Sequence, residues 1–318
     1  MKYYLGMDIG GTKCAVVLSE KNAASIKDKI RFETRAERGY GEIIAELISS
    51  ARELIERNGV DSADVLACGV SCGGPLDSDR GIIMSPPNLS DWDNVPLADM
   101  ITDALGISCK VRNDADACAL AEWKFGAGKG TKNMIFLTFG TGMGAGLILD
   151  GKLYSGSCGT AGEVGHIRLD ADGPAAYGKA GSFEGFCSGA GIAVMAKKML
   201  SIYNGQTIIP RDNVNAKTVA DAAVNGDKLA NAIYRRCGEK LGLGISILID
   251  ILNPERIVIG SIFQRSGFLL ADSMNETIKK EALAISASHC EIVPAMLGDD
   301  IGDFAAIGVA KDFAEGKK

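Results

Sequence analysis

Hydrophobic positions run in short blocks along this chain, separated by glycine and polar turns. Residues 3–9 and 13–19 flank Gly10-Gly11-Thr12, and their length and β-leaning content predict a hairpin. A further β-like stretch covers about 28–34. Ile43, Ile44, Leu47, Ile48, Ala51, Leu54 and Ile55 then recur at helical spacing, which predicts an amphipathic helix ended by Asn58-Gly59. The block 65–71 reads as a buried strand entering the sharp loop Cys72-Gly73-Gly74-Pro75. A polar loop (86–94), a helix (96–105) and a short strand (107–112) lead to Asn113-Asp114 and a helix ending near Gly126.

A second strand–glycine–strand unit follows: residues 134–139, the run Gly140-Thr141-Gly142-Met143-Gly144-Ala145-Gly146, then 147–149. It has the form of the first unit, with Asp8 and Thr138 at matched positions. Asp8-Ile9-Gly10-Gly11-Thr12 stands against Thr138-Phe139-Gly140-Thr141-Gly142, about 130 residues later. One element used twice predicts two related α/β domains, each giving a glycine hairpin to a shared cleft. Residues 150–190 are glycine-rich and aperiodic, as expected of an insertion that lines a site. Helices are predicted at about 182–199, 226–252, 267–284 and 301–315, and strands at 256–260 and 291–295.

Composition narrows the function. The 318 residues are 47% hydrophobic and 23% charged, enough for two domains with cores. Net charge is −6 and the basic residues do not cluster, which excludes a broad electrostatic grip on nucleic acid or a membrane surface. No apolar run suits a signal peptide or a membrane span, so the expectation is a cytoplasmic protein. The nine scattered cysteines read as buried free thiols, and two histidines are too few for an imidazole-rich metal site.

Adjacent glycines after a strand let backbone N–H groups approach a phosphate closely. The chain has no G-x-x-x-x-G-K-[ST] loop, and residues 140–146 fail G-x-G-x-x-G in every register and are followed by an apolar strand rather than a helix. Either hairpin alone reads as a plain turn; the matched pair points to a phosphate clamp. Asn113-Asp114 has the form of a helix N-cap. Lys13 reads equally as a solvated strand residue or a phosphate-side cation. Trp92 reads as packing for its loop, and Cys72 and Cys158 as small-residue packing.

These motifs, in this order, resemble the ROK family (repressors, uncharacterised frames and sugar kinases) along nearly the whole chain. The pieces are DIGGTK (8–13), SCGGP (71–75), the PNL…W loop (87–92), NDADA (113–117), GTGMGAG (140–146), GTAGEVGH (159–166), GSFE (181–184) and NPERIVIG (253–260). The resemblance implies two actin-like (ribonuclease H-like) domains flanking an ATP and sugar cleft. These would be residues 1–115, with a C-terminal helix at about 301–318 returning to them, and residues 116–300. It implies an ATP-dependent sugar kinase that uses Mg²⁺, with Asp114 as general base. Asp8, Gly10, Gly11, Thr12 and Lys13 would form the first phosphate motif, Asp8 acting on Mg²⁺ through water. Gly140, Thr141 and Gly142 would form the second motif, and Gly260 would approach the adenosine, although Ser261 replaces the usual next glycine. Sugar hydroxyls would meet Gly74, Asn88, Asn113, Asp114, Glu163, His166 and Glu184. Homodimerisation is also implied.

One departure stands out. Many ROK proteins hold zinc through a histidine and three cysteines, and here the thiol segment reads Ala175-Ala176-Tyr177-Gly178-Lys179-Ala180-Gly181-Ser182. No structural zinc is therefore expected, with Tyr177 and Phe183 packing the loop instead. The expected activity is phosphorylation of a hexose, foremost at the 6-hydroxyl of glucose or a close relative. An N-acetylhexosamine or β-glucoside kinase, or a non-catalytic sugar-binding protein, are the alternatives. A regulator would carry a DNA-binding module ahead of the phosphate motif, which begins at residue 8 here.

Overall fold

The computed structural model describes residues 1–316. Its first sheet takes β1 (Tyr3–Ile9), β2 (Lys13–Glu20), β3 (Asp28–Glu33), β4 (Val65–Cys72) and β7 (Cys109–Asn113), in the order β3-β2-β1-β4-β7. A separate small ladder joins β5 (Leu76–Asp77) to β6 (Ile82–Ile83). Helices α1 (Gly39–Arg57) and α2 (Leu97–Leu105) make the crossovers, and α3 (Asp114–Phe125) leads out of the sheet.

The second sheet takes β8 (Met134–Phe139), β9 (Met143–Leu149), β10 (Lys152–Tyr154), β13 (Arg256–Ile259) and β14 (Glu291–Pro294), in the order β10-β9-β8-β13-β14. Between β10 and β13 lie the β11 (Ala175–Ala176) and β12 (Lys179–Ala180) ladder and helices α4 (Phe183–Phe186), α5 (Gly189–Ile202), α6 (Ala216–Val224) and α7 (Lys228–Leu252). Helices α8 (Ile262–Glu281) and α9 (Ala284–Ala287) precede β14, and α10 (Ile301–Gly316) ends the described chain. The last two residues of the expected C-terminal helix, 317 and 318, lie outside the described residues.

The two sheets share one topology. In each, an antiparallel three-stranded meander is followed by two parallel strands on the other side of the first strand. This is the repeat that the matched glycine units predicted. Period-two alternation divides the faces. Tyr3, Leu5, Met7 and Ile9 enter the core beneath α1 and α2, while Tyr4 joins a cluster with Ile307 and Ala310 of α10. On β8, Ile135, Leu137 and Phe139 face the core that includes α7, whereas Met134 and Phe136 join the α3 and α10 side.

Close approach of helix to sheet is built from small residues. A Cβ on Gly69 of β4 would lie 2.2 Å from the Ala306 carbonyl oxygen, and one on Gly146 of β9 would lie 2.5 Å from that of Ala115. Thus α10 rests on the first sheet and α3 on the second at backbone distance. Here the sequence expectation needs correcting: Met143–Gly146, read as part of a glycine loop, belongs to β9. Its glycines leave room for α3 rather than making a turn. The helix expected at 182–199 is broken at Cys187, because the Ser188 hydroxyl accepts from the Gly191 N–H and caps a new helix. Among the described residues, no helix is long and apolar enough to cross a membrane.

Candidate active site

A cleft of about 910 Å³ opens between the two sheets. Asn113 and Asp114 stand at its floor, where β7 ends and α3 begins. The two readings of this dipeptide fall on different residues. Asn113 is the cap, its Oδ1 accepting from the Asp116 N–H at 2.7 Å, and Asp114 opens the first turn with Oδ1 accepting from the Ala115 N–H at 2.8 Å. Asp114 is open to the cleft yet surrounded on its other sides by protein. Loss of bulk water pushes its carboxyl above the usual range, against the Ala115 hydrogen bond.

Gly74, Asn88, Glu163, His166 and Glu184 line the same cleft as Asn113 and Asp114, so every sugar-side candidate is brought together. The turn carrying Glu163 and His166 lies flat on β9. A Cβ on Gly165 would come 2.3 Å from the Met143 carbonyl oxygen, and Gly162 combines φ +93 with a Cβ position 2.0 Å from that of Ala145. Only glycine fits Gly162, and the segment's aperiodic glycines are thereby explained. Glu184 sits in the first turn of α4, and its Oε2 accepts from the Met143 N–H at 2.9 Å and the Tyr177 hydroxyl at 3.2 Å. A Cβ on Gly142 would strike that same oxygen at 2.8 Å, so the hairpin glycine and the carboxylate need each other's shape.

Gly140, Thr141, Gly142 and Gly260 also line the cleft, facing Ser261, Gln264 and Arg265. Ser261 holds a φ of 52 and its N–H donates to Gln264 Oε1 at 2.9 Å, so the serine adopts a backbone conformation where glycine would be unstrained. Asp8, Gly10, Gly11, Thr12 and Lys13 stand beside the cleft wall rather than in it. Gly11 packs on Asn88, with a Cβ position 2.7 Å from that of the asparagine. Thr34, which the sequence reading passed over, holds this hairpin. Its hydroxyl donates to the Gly10 carbonyl at 2.5 Å and its N–H to that of Thr12 at 3.0 Å.

Asp8 is pushed up to about 6 by burial, with Asp303 and then Asp114 adding to it against the Ser71 hydrogen bond and the Lys13 charge. Such an acid-rich corner suits a divalent cation. Among the described residues no cluster of three His, Cys, Asp or Glu could hold a metal alone. One carboxylate completed by phosphate oxygens and water is how Mg²⁺ is usually held, so Asp8 fits.

Behind the floor, Asp116 is 1% exposed. Its Oδ2 accepts from the Ser155 hydroxyl at 3.1 Å, while Oδ1 is buried without a partner. Burial is the main cause pushing this carboxyl to about 6. The folded group keeps its proton to about pH 6, whereas an unfolded one releases it near pH 4, so its contribution to stability falls as pH rises through that window. Asp116→Asn is expected to raise Tm at pH 7.5, by the equivalent of roughly 2–3 kcal/mol, with the gain down to about 1 kcal/mol at pH 4.5. A Tm difference of equal size at both pH values would contradict this.

The segment of the missing thiols forms the β11–β12 hairpin. Tyr177 stacks on the His166 ring at 4.1 Å between centroids, as expected of a loop-packing residue. Phe183 does not share that task. It is fully buried in the core, where a Cβ on Gly244 would come 2.4 Å from its ring. The segment is instead anchored by Asp170, whose Oδ2 accepts from Lys240 Nζ at 2.7 Å and Arg236 Nη2 at 2.8 Å. Trp92 is buried against its loop as expected; all nine cysteines are free thiols, but Cys118 and Cys290 are only half-buried. Cys72 is buried, but Cys158 is exposed beside Thr160 and so packs nothing.

The ROK family pattern matches residues 4–312. A glucokinase of Halalkalibacterium halodurans is 31% identical over 307 residues, covering 95% of this chain and 92% of that protein. A xylose repressor of Caldicellulosiruptor bescii is 28% identical over 303 residues, covering 93% of this chain and 74% of the repressor. Among solved structures, a ROK family glucokinase from Streptomyces griseus in complex with glucose and AMPPNP superposes with a TM-score of 0.75. It is 29% identical, over 97% of this chain and 99% of that one. With the repeated sheet topology, the shared cleft and a match over nearly its whole length, the chain belongs to the ROK family.

Proposed function

We propose that this protein transfers the γ-phosphoryl group of ATP to a hexose hydroxyl, foremost the 6-hydroxyl of glucose or a close relative. The observation that carries this reading is Asp114, a carboxylate of raised pKa on the cleft floor, among neutral amides and carboxylates suited to sugar hydroxyls. Asn88, Asn113, Glu163, His166 and Glu184, with the Gly74 backbone, bind and orient the ring. Asp114 takes the proton of the attacking hydroxyl as the new O–P bond forms and the bond to the β-phosphate bridging oxygen breaks, releasing ADP. The Gly140–Gly142 hairpin and the Asp8–Lys13 hairpin cradle the phosphates from either side. Gly260 lies where the adenosine would approach.

Mg²⁺, held at Asp8 through water, would supply the positive charge that neutralises the transferring phosphoryl group. Closure of the lobes on the sugar would carry the first hairpin into the cleft and exclude water as a competing acceptor. The similarity to a xylose repressor supports a second reading, a protein that binds sugar without catalysis.

Product analysis tests the proposal. Incubation with Mg·ATP and glucose is expected to give ADP and a sugar 6-phosphate in equal amounts, identified by phosphorus and carbon NMR. Phosphorylation at another hydroxyl would correct the regiochemistry. Bound sugar with no phosphorylated product from glucose, an N-acetylhexosamine or a β-glucoside would favour the second reading.

A further inference from the structure

Tyr177 occupies a position that its own chemistry disfavours. It and Gly178 are the two central residues of the β11–β12 hairpin turn, with φ values of 53 and 70. A turn with both central residues left-handed selects Asn, Asp or Gly, and a bulky side chain there is strained. Burial does not compensate, because Tyr177 is 63% exposed. The two specific contacts of the side chain are with residues assigned above to the sugar. The ring stacks on His166 at 4.1 Å with 19° between planes, and the hydroxyl donates to Glu184 Oε2 at 3.2 Å. The same hairpin supports the histidine from its other end, where Lys179 Nζ donates to the His166 carbonyl at 2.7 Å. Glu184 Oε2 also accepts from the Met143 N–H, at the foot of the Gly140–Gly142 hairpin.

We propose that Tyr177 is a positioning residue for the sugar: it fixes the His166 ring by stacking and the Glu184 carboxylate by its hydroxyl. Both side chains are thereby presented to the sugar hydroxyls in one orientation. Without it, the His166 ring would sample several rotamers and Glu184 would keep only its bond from the Met143 N–H, and the freedom gained would be lost on binding. The inference rests on the sugar-kinase reading and adds to it the residue that orders the sugar side of the cleft.

Two substitutions test it in the full-length protein. Tyr177→Phe keeps the stack and removes the Glu184 bond, and is expected to raise KM for the sugar about 3- to 10-fold. Tyr177→Asn removes both contacts but suits the left-handed turn, so Tm is not expected to fall, while sugar KM rises about 10- to 100-fold. KM for ATP is expected to stay within about twofold in both, since no contact with the nucleotide is assigned to this side chain. Unchanged sugar KM in Tyr177→Asn would overturn the proposal. So would a joint worsening of sugar KM, ATP KM and Tm, the pattern of a merely structural residue. A wild-type protein inactive on every sugar would remove the kinase reading and this proposal together. An active wild type with normal Tyr177 variants would remove only the latter.

Discussion

Asp114→Asn is expected to lower kcat by about 10²–10⁴-fold while sugar affinity stays within a few fold. The amide keeps the shape of the carboxylate, and its oxygen can still accept the Ala115 N–H that anchors Asp114 Oδ1. What it loses is the capacity to take a proton. The native carboxyl is raised by burial, which brings it closer to neutral pH and makes it a better base there. The same rise means that acid removes activity as the group protonates. The side chain is exposed to the cleft, so the variant is not expected to be less stable. Loss of turnover with unchanged Tm and retained sugar binding would identify a chemical role. A parallel loss of binding and fold would instead identify Asp114 as a structural part of the α3 terminus.

Glu122→Ala is expected to be the most destabilising single substitution considered, by on the order of 5 kcal/mol. Glu122 is fully buried, and its carboxylate accepts three backbone N–H groups. Oε1 takes those of Met296 and Leu297, each at 2.9 Å, and Oε2 takes that of Ala127 at 2.7 Å. One side chain on α3 thus ties down both the turn after its own helix and the segment between β14 and α10. Truncation leaves three donors without partners, each costing about 1–3 kcal/mol. Against a total stability of roughly 5–15 kcal/mol, that is a large share. The loss has a functional side as well. Residues 296–297 lead into Gly298 and Asp299, which line the cleft, and into α10, whose Gly302 packs on the Asp8 carboxylate. Thermal unfolding is expected to show Tm lower by about 10 °C or more, with Glu122→Gln intermediate because one amide oxygen remains. A fall of only one or two degrees would show that water readily replaces the carboxylate.

Glu122 also shows where reading the sequence stops. Helix α3 is flanked by both sheets, so its buried residues include Ala115, Asp116, Ala119, Leu120 and Glu122, and no one-sided apolar stripe distinguishes them. A glutamate in such a helix reads as solvated until the backbone it serves, some 175 residues away, is placed beside it. Thr34 escaped for the same reason, since its partners Gly10 and Thr12 lie across a strand pairing. The hairpins were legible because their signal is local: an apolar run, glycines, another apolar run. The glycines of β9 misled because a glycine that admits a neighbouring helix is written like one that makes a turn. Helix α6 went unread because its nine residues are too few for the helical period to stand out from the polar stretch before it. Tyr177 was legible as a replacement for absent thiols, but its strained turn conformation was not. A turn with tyrosine at its first central position carries none of the usual residue signals.

Phosphoryl transfer to a sugar is read from ADP release that depends on the sugar. Wild-type protein would be assayed with Mg·ATP alone and then with glucose, mannose, fructose, allose, N-acetylglucosamine, N-acetylmannosamine and a β-glucoside. Little ADP is expected without sugar and strong release with one of these or a close relative, abolished in Asp114→Asn. ADP release at the same low rate with every sugar and with none, from folded protein that binds one of them, would contradict this.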